Sequence, residues 1–501
     1  MKTYTKDMEG IFMVDLKQKP YFLNDEQIKY IEDKIKEMSI EDKIGQLFFV
    51  VGQDSDTVNL SEFTKKYRPG GIMYRPDKAA KIKDEVSKLQ KASDIPLFIA
   101  ANLESGGNGI ASEGTWLGTP MEMAATGDFQ SAYQLGRISG YEAAQVGVNM
   151  SFAPIVDIDM NFKNPIMNVR TFGSDKNRVI GMSSAQAKGL EECGIIPVIK
   201  HFPGDGVDER DQHLLSSVNS LQADEWMESY GQIYHSLIEG GIPAVMIAHI
   251  LQPAWERRLD PGISDDRLRP ASSSKLLIDG LLRDTLHFNG LTITDATPMI
   301  GYNAALPREE LLPTTINAGI DMILFNKNID EDYSFIRQAI EDGTLPMERV
   351  NEAVTRILAT KLAQNVMDTR ENLLKKAPEK INLKREEHEE CADRIAKKAV
   401  TLVKDRDGIL PVTPEKYPRI RLYVLGDSDD GGFKEGGHVT QEFKKRLEAE
   451  GFSVSLFDRG NLDFHEVFEE GVCDMKDKFD LALYVANPDR LHLNGKSLPS
   501  L

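Results

Sequence analysis

Cysteine is nearly missing from this sequence. Cys193, Cys391 and Cys473 are the only three in 501 residues, far apart and without a CxxC or His-flanked spacing. That excludes a disulfide scaffold and a structural zinc site, and it leads to the expectation of a reducing compartment. Basic charge is also short: 60 Lys and Arg stand against 79 Asp and Glu, for a net charge of −19. With no positive field to draw a polyanion, neither nucleic acid nor an anionic membrane surface is an expected partner. Long apolar runs are lacking too. From Met1 to Pro20 the longest is Ile11 to Val14, too short for a signal-peptide core or a membrane span, so the expected location is cytoplasmic. No GxGxxG follows a strand pattern, and HxH, HExxH and carboxylate-bridge spacings do not occur, so neither a dinucleotide cofactor nor a metal is expected. The remaining partner is a small or neutral molecule; the oligomeric state is not legible.

What the sequence does have is a repeated alternation. Its 41% hydrophobic share suits a globular chain with a sizeable core. Short apolar runs recur at Leu47 to Val51, Gly71 to Tyr74, Leu97 to Ala101, Val148 to Phe152, Ile195 to Ile199, Ala244 to Ala248, Leu291 to Thr294 and Met322 to Phe325. Helical periodicity fills the gaps, as in Trp226, Tyr230, Ile233 and Leu237, stopped by Gly240 and Gly241. A helix capped by Asn24, with Ile28, Ile31, Ile35 and Met38 on one stripe, precedes the first run. Strands apolar throughout and separated by helices predict a parallel sheet covered on both faces. Eight such units point to an α/β fold of the TIM-type (β/α)8 barrel class over 1–367. The polar stretch Asp368 to Lys384 reads as an exposed linker. A second α/β unit over 385–501 offers a helix at Glu386 to Lys398 and strands at Val400 to Val403, Ile420 to Leu425, Ser453 to Phe457 and Leu481 to Ala486. It stops at Leu501, short of what its pattern leads one to expect. The Gly-rich stretch Gly426 to Gly432 follows a strand like a phosphate cradle, but Asp427, Asp429 and Asp430 would repel phosphate, so a plain loop is the better reading.

A barrel of this kind places reactive groups after the carboxyl ends of its strands. There the sequence has Asn102 and Glu104 after the third strand, Asp157, Asp159 and Arg170 after the fourth, Lys200 and His201 after the fifth, His249 after the sixth and Asp295 after the seventh. Asp295 reads as a nucleophile or a stabiliser of developing positive charge, or else as a helix cap or the partner of a Lys. The loop from Lys200 to Ala223 runs to about 20 residues, beyond the usual βα connection. Within it Asp211 and His213 stand two apart, so an extended backbone would send both side chains to one face. That suits a dyad in which Asp211 orients and charges His213 as general acid and base; the plainer reading is a surface loop with an incidental histidine. Arg170, Lys200 and His201 could bind sugar hydroxyls or a carboxylate, or could form an ion-pair network at the rim with Asp157, Asp159 and Glu104. His249 reads more simply as a core histidine than as a ligand-binding one.

Taken together, Ser151-Phe152-Ala153-Pro154-Ile155-Val156-Asp157, Arg170-Thr171-Phe172-Gly173, Lys200-His201-Phe202-Pro203-Gly204, Pro270-Ala271-Ser272 and Thr294-Asp295 resemble glycoside hydrolase family 3, and within it the β-N-acetylglucosaminidase branch. Five motifs in the family's order and spacing are far more specific than one, and the likeness spans nearly the whole chain. The resemblance implies that Asp295 is the nucleophile and that Lys200, His201 and Arg170 bind substrate, with Asn102, Glu104 and His249 as further candidates. It implies that Asp211 and His213 are the dyad that marks this branch, whereas the family's β-glucosidases take a Glu acid from the second domain. That domain in the family is an αβα sandwich, which the smaller second unit resembles in incomplete form. The implied reaction is retaining hydrolysis of terminal N-acetyl-β-D-glucosamine from oligosaccharides or cell-wall fragments. Phosphorolysis is a variant, because a histidine repels phosphate less than an anionic acid/base does; a barrel that only binds amino sugars is the non-enzyme alternative. The pattern departs at Asn102, where the family has an Asp on sugar hydroxyls, and at Ser105 to Gly109. It departs again at Asp205, which replaces a His, and at Val207, which replaces an Asp.

Overall fold

The structure is a computed structural model that describes residues 14–52, 58–367, 380–406, 408–425, 437–457 and 471–486. The chain divides into two compact units, 1–400 and 401–501. In chain order the strands of the first unit are β1 (Phe48–Val51), β2 (Gly71–Met73), β3 (Phe98–Ala101), β4 (Met150–Ser151), β5 (Ile196–Phe202), β6 (Ser217–Val218), β7 (Ala244–Ile247), β8 (Ile250–Leu251), β9 (Leu291–Ala296) and β10 (Met322–Leu324). Eight of them pair in parallel and close into a barrel, β1-β2-β3-β4-β5-β7-β9-β10 and back to β1. Each apolar run in the sequence supplies one barrel strand. β6 and β8 form a separate parallel ribbon.

The runs are apolar throughout because both faces of the strands are covered, by helices outside and by other strands' side chains inside. Phe49 of β1 packs against Phe98 of β3 and Phe152 beyond β4, with ring centroids 6.0 and 5.6 Å apart. β2 passes so near this cluster that a Cβ on Gly71 would collide with the Phe49 ring. The first helix, Asp25–Glu37, starts where the sequence places it: the Asn24 side chain accepts from the Gln27 N–H, and the Gln27 side chain caps Asn24 in return. Among the described residues no helix is long and apolar enough to cross a membrane.

At the amino end of β10 the barrel is closed by a buried charge cluster. Asp321 accepts from Arg349 at 2.9 Å, Arg283 at 3.2 Å and Arg356 at 3.4 Å, and from the Thr292 N–H at 3.0 Å. This end is remote from the strands' carboxyl ends, so its work is structural. Asp321→Ala would leave the buried Arg283 guanidinium without its ion-pair partner, while Arg349 and Arg356 keep only Glu352, and is expected to cost about 3–5 kcal/mol. A urea unfolding series checks this: the midpoint should drop well below that of the parent, and an unchanged midpoint would rule out the network as a stabilising element.

Two features of the second half depart from the sequence reading. The first unit does not end at 367, because the helix Glu386–Ala399 is part of it. Cys391 and Ile395 of this helix are buried in the barrel's own core, and the His388 Nδ1 lies 2.7 Å from Oε1 of the buried Glu142. The same Oε1 accepts from the Lys384 N–H at 2.8 Å. The segment drawn as an exposed linker is therefore laid on the barrel from Ile381 onward; residues 368–379 of it lie outside the described residues. Val400 to Val403 form no strand. They are exposed. The Gly426 to Gly432 stretch lies outside the described residues.

The second unit, taken by itself, holds a three-stranded parallel sheet of β11 (Arg419–Leu425), β12 (Ser453–Leu456) and β13 (Leu481–Ala486), with β11 in the middle. Central β11 buries Ile420, Leu422 and Val424, and the helix His438–Ala449 packs on β11 and β12.

Candidate active site

The polar residues singled out in the sequence gather at the carboxyl ends of β3, β5 and β9 and on the loops that follow β4 and β5. Glu104, just beyond β3, bridges two cations. Its carboxylate takes Arg170 in a bidentate pair, Nε to Oε2 and Nη2 to Oε1 each at 2.9 Å, and takes the Lys200 Nζ at 2.6 Å. Burial opposes ionisation of Glu104, but Arg170 and Lys200 outweigh it and hold the carboxyl well below the usual range. Lys200 also donates to the Asn102 Oδ1 at 3.3 Å, and Asn102 itself is exposed at the mouth. On the other side of β5, the His201 Nδ1 meets the Asp157 Oδ2 at 2.6 Å, and the Asp157 Oδ1 accepts the Asp205 N–H at 2.7 Å. The ion-pair network and the binding cluster are thus one assembly: pairing fixes the groups that a ligand would meet. Asp159 joins no ion pair among the described residues.

The Asp211–His213 pair is built differently from the extended arrangement expected. Residues 212–214 form a turn, and the Asp211 Oδ1 accepts both the His213 N–H at 2.8 Å and the His213 Nδ1 at 2.6 Å. An Asp whose carboxylate bonds the backbone two residues on stabilises such a turn, and here the same oxygen fixes the ring. The imidazole is half exposed while its partner is mostly covered. Burial lowers the His213 pKa, but the Asp211 hydrogen bond and the Asp295 charge overcome it and raise it above the ordinary value. Asp211 is shifted down: burial raises it and His213 more than compensates.

Asp295 lies within β9, next to its end, and accepts the Ala296 N–H at 2.8 Å. Burial disfavours its charge, yet His201, with His213 and the Ala296 N–H, holds it below the usual carboxylate value. It is therefore an ionised carboxylate within electrostatic reach of the dyad's histidine. Among the described residues no three His, Cys, Asp or Glu stand together as a metal site.

Residues 39–360 match the family model described as the glycosyl hydrolase family 3 N terminal domain. The chain belongs to glycoside hydrolase family 3. Among family members, a β-N-acetylglucosaminidase/β-glucosidase of Cellulomonas fimi is 40% identical over 477 residues, covering 95% of this chain and 84% of that protein. The solved structure of a β-glucoside phosphorylase, BglX, bound to 2FGlc is 41% identical with a TM-score of 0.88, covering 97% of this chain and 88% of that one. The β-hexosaminidase LpqI of Mycobacterium tuberculosis is 28% identical over 335 residues, 65% of this chain and 83% of its own. The protein is a glycoside hydrolase by family.

Within this family frame one candidate needs correcting. His249 is fully buried and both ring nitrogens are engaged: Nε2 with the Ala296 carbonyl at 3.1 Å and Nδ1 with the Ser272 hydroxyl at 2.8 Å. A carbonyl only accepts, so Nε2 carries the proton and Nδ1 accepts from Ser272. Burial pushes the pKa of His249 down to about 4. It is a neutral prop behind Asp295 rather than a substrate ligand.

Sequence reasoning passed over the residues that support the dyad loop. Gln212, between the two members of the dyad, is buried. Its Oε1 accepts the His249 N–H at 3.0 Å and its Nε2 donates to the Asp205 Oδ2 at 3.3 Å. Asn164 donates to the Asp205 Oδ1 at 2.8 Å and to the Asp208 carbonyl at 2.9 Å. The departure at Asp205 thus has a structural consequence: burial and the neighbouring Asp157 push its carboxyl up, and it anchors the loop through Gln212 and Asn164. The only trace of this in the sequence is the unusual Asp at position 205 itself.

Proposed function

We propose that the protein is a retaining β-N-acetylhexosaminidase that removes terminal non-reducing N-acetyl-β-D-glucosamine from oligosaccharides or cell-wall fragments. The observation that carries this reading is the Asp211–His213 pair at 2.6 Å, whose imidazole is favoured in its charged form by the Asp211 hydrogen bond and by the charge of Asp295. In the first displacement the Asp295 carboxylate attacks the anomeric carbon as the bond to the leaving oxygen breaks, and the His213 imidazolium gives its proton to that oxygen. In the second, neutral His213 takes a proton from water as the water displaces Asp295, and the anomeric configuration is restored. Asp211 favours the imidazolium at both ends of the cycle. Arg170, Lys200 and Asn102 supply donors for sugar hydroxyls, their geometry set by Glu104. The three free thiols suit a cytoplasmic place for this activity.

A second reading replaces water by inorganic phosphate. Two things favour it: the acid/base is a histidine paired with a carboxylate rather than a lone carboxylate, so an incoming anion meets less repulsion, and the 41% identical BglX is a β-glucoside phosphorylase. One assay separates the readings. Aryl release from an aryl N-acetyl-β-glucosaminide and an aryl β-glucoside is followed with and without phosphate. Fast release from the amino sugar in phosphate-free buffer is the expected result. A phosphate-dependent rate with a sugar 1-phosphate product establishes the second reading, and no release from either sugar sinks both.

A further inference from the structure

We propose that Glu142 is a positioning residue for the sugar-binding cluster, and that through it the helix Glu386–Ala399 takes part in holding the sugar. This assignment rests on the reading that Arg170, Lys200 and Asn102 grip the sugar hydroxyls, and deepens it. Glu142 lies near the end of the helix Phe129–Ala144 and is fully buried. The two displacements make no use of it, yet partners from two distant parts of the chain converge on its carboxylate. From the loop after β3, the Thr115 N–H donates to Oε2 at 2.7 Å and the Thr115 hydroxyl to Oε1 at 2.6 Å. From the segment that follows the barrel, the Lys384 N–H donates to Oε1 at 2.8 Å and the His388 Nδ1 lies 2.7 Å from the same oxygen. Burial disfavours the charge of Glu142, but His388 and Thr115 outweigh it and hold the carboxyl below its ordinary value.

Thr115 is tied in turn to Glu104. Gly106 and Trp116 pair as an antiparallel bridge, and the Leu117 N–H donates to the Ser105 carbonyl at 2.9 Å, so the returning half of the loop runs along the outgoing half. Ser105 adjoins Glu104, whose carboxylate fixes both Arg170 and Lys200. The loop also rests directly on Glu142, since a Cβ on Gly107 would run into its Oε2. A carboxylate that accepts both the N–H and the hydroxyl of one residue admits few orientations of that residue. The bridge passes this restriction back to Ser105, and so to the carboxylate that sets the two cations. Slack here reaches the sugar, and a misplacement of about 1 Å arising far from the chemistry can cost about 10²-fold.

Removing Glu142 itself would strand buried donors and put the fold at risk, so the test is made on its partners. Thr115→Val nearly keeps the shape and loses one bond on the loop side, and Thr115→Ser keeps the hydroxyl. His388→Phe loses the bond on the helix side and keeps a ring beside Tyr141. With an aryl N-acetyl-β-glucosaminide, Thr115→Val should lower kcat/KM by about 10- to 100-fold. Most of that loss should lie in KM, because the cluster holds the sugar in the ground state as well as in the transition state. Thr115→Ser should recover most of the parental KM, and His388→Phe should raise KM as Thr115→Val does. A purely structural role would lower the melting temperature or the active fraction and leave KM where it was. Arg170→Ala, run alongside, measures the cluster itself. If it raises KM while Thr115→Val or His388→Phe does not, the relay through Glu142 is overturned and the reading of the cluster stands. If Arg170→Ala leaves KM unchanged, the cluster does not hold the sugar, and the relay falls with that reading.

Discussion

Asp295→Asn should lower turnover of N-acetyl-β-glucosaminides by at least about a thousandfold, the scale of losing a nucleophile that works as part of a unit. The substitution is nearly isosteric, and the amide oxygen can still accept from the Ala296 N–H that bonds the carboxylate at 2.8 Å, so the fold should persist. Circular dichroism and a melting curve matching the parent would show that the loss is chemical. The size of the effect follows from the surroundings. Burial works against a charged Asp295, and His201 and His213 together with the Ala296 N–H restore it, so the site holds an anion where the sugar's developing positive charge needs one. A variant with ordinary rates would remove Asp295 from the reaction.

His213→Ala should divide substrates by leaving group. Poor leaving groups, such as alkyl or sugar alcohols, need protonation and should slow by about 10²–10⁴-fold. Activated aryl glycosides leave as anions and should slow far less in the first displacement. Equal losses on both would count against an acid role. The pH profile gives an independent check. The acid must be protonated, and its pKa is raised by Asp211 and Asp295 against the opposing effect of burial. kcat/KM should therefore stay high through the ordinary histidine range and fall on the alkaline side of it. Asp295 must be ionised and its pKa is depressed, so activity should fall only below the ordinary carboxylate range. In His213→Ala, the alkaline fall should vanish for the aryl substrate while the acid limb remains.

The barrel was legible because its signal is periodic and redundant. Eight apolar runs separated by helical stripes leave few other folds, and a strand buried on both faces cannot avoid looking apolar. Arg170, Lys200, His201 and Asp295 were legible because each follows or ends one of those runs. The Asp211–His213 pair was found for a reason only partly right: the two are joined by a turn that the Asp itself caps, not by an extended backbone. Gln212 and Asn164 were invisible because a single amide in a loop carries no periodicity, and its worth lies in contacts with distant residues such as His249 and Asp205. The end of the barrel is not legible because a Lys-rich polar sequence reads as linker, although Ile381 and Leu383 within it rest on the core.

The clasp between the helix Glu386–Ala399 and the barrel also dictates where a minimal catalytic fragment can be cut. A fragment ended at the apparent linker would strip His388 and the Lys384 N–H from Glu142, leaving a buried carboxylate whose remaining partners are the Thr115 hydroxyl and N–H. It would also bare the apolar surface now covered by Cys391 and Ile395. Breaking one side of such a buried pair costs about 3–5 kcal/mol, a large share of the stability of an ordinary domain. Expression of the barrel alone therefore calls for a terminus beyond Ala399, and a shorter gene would yield aggregates that say nothing of the chemistry.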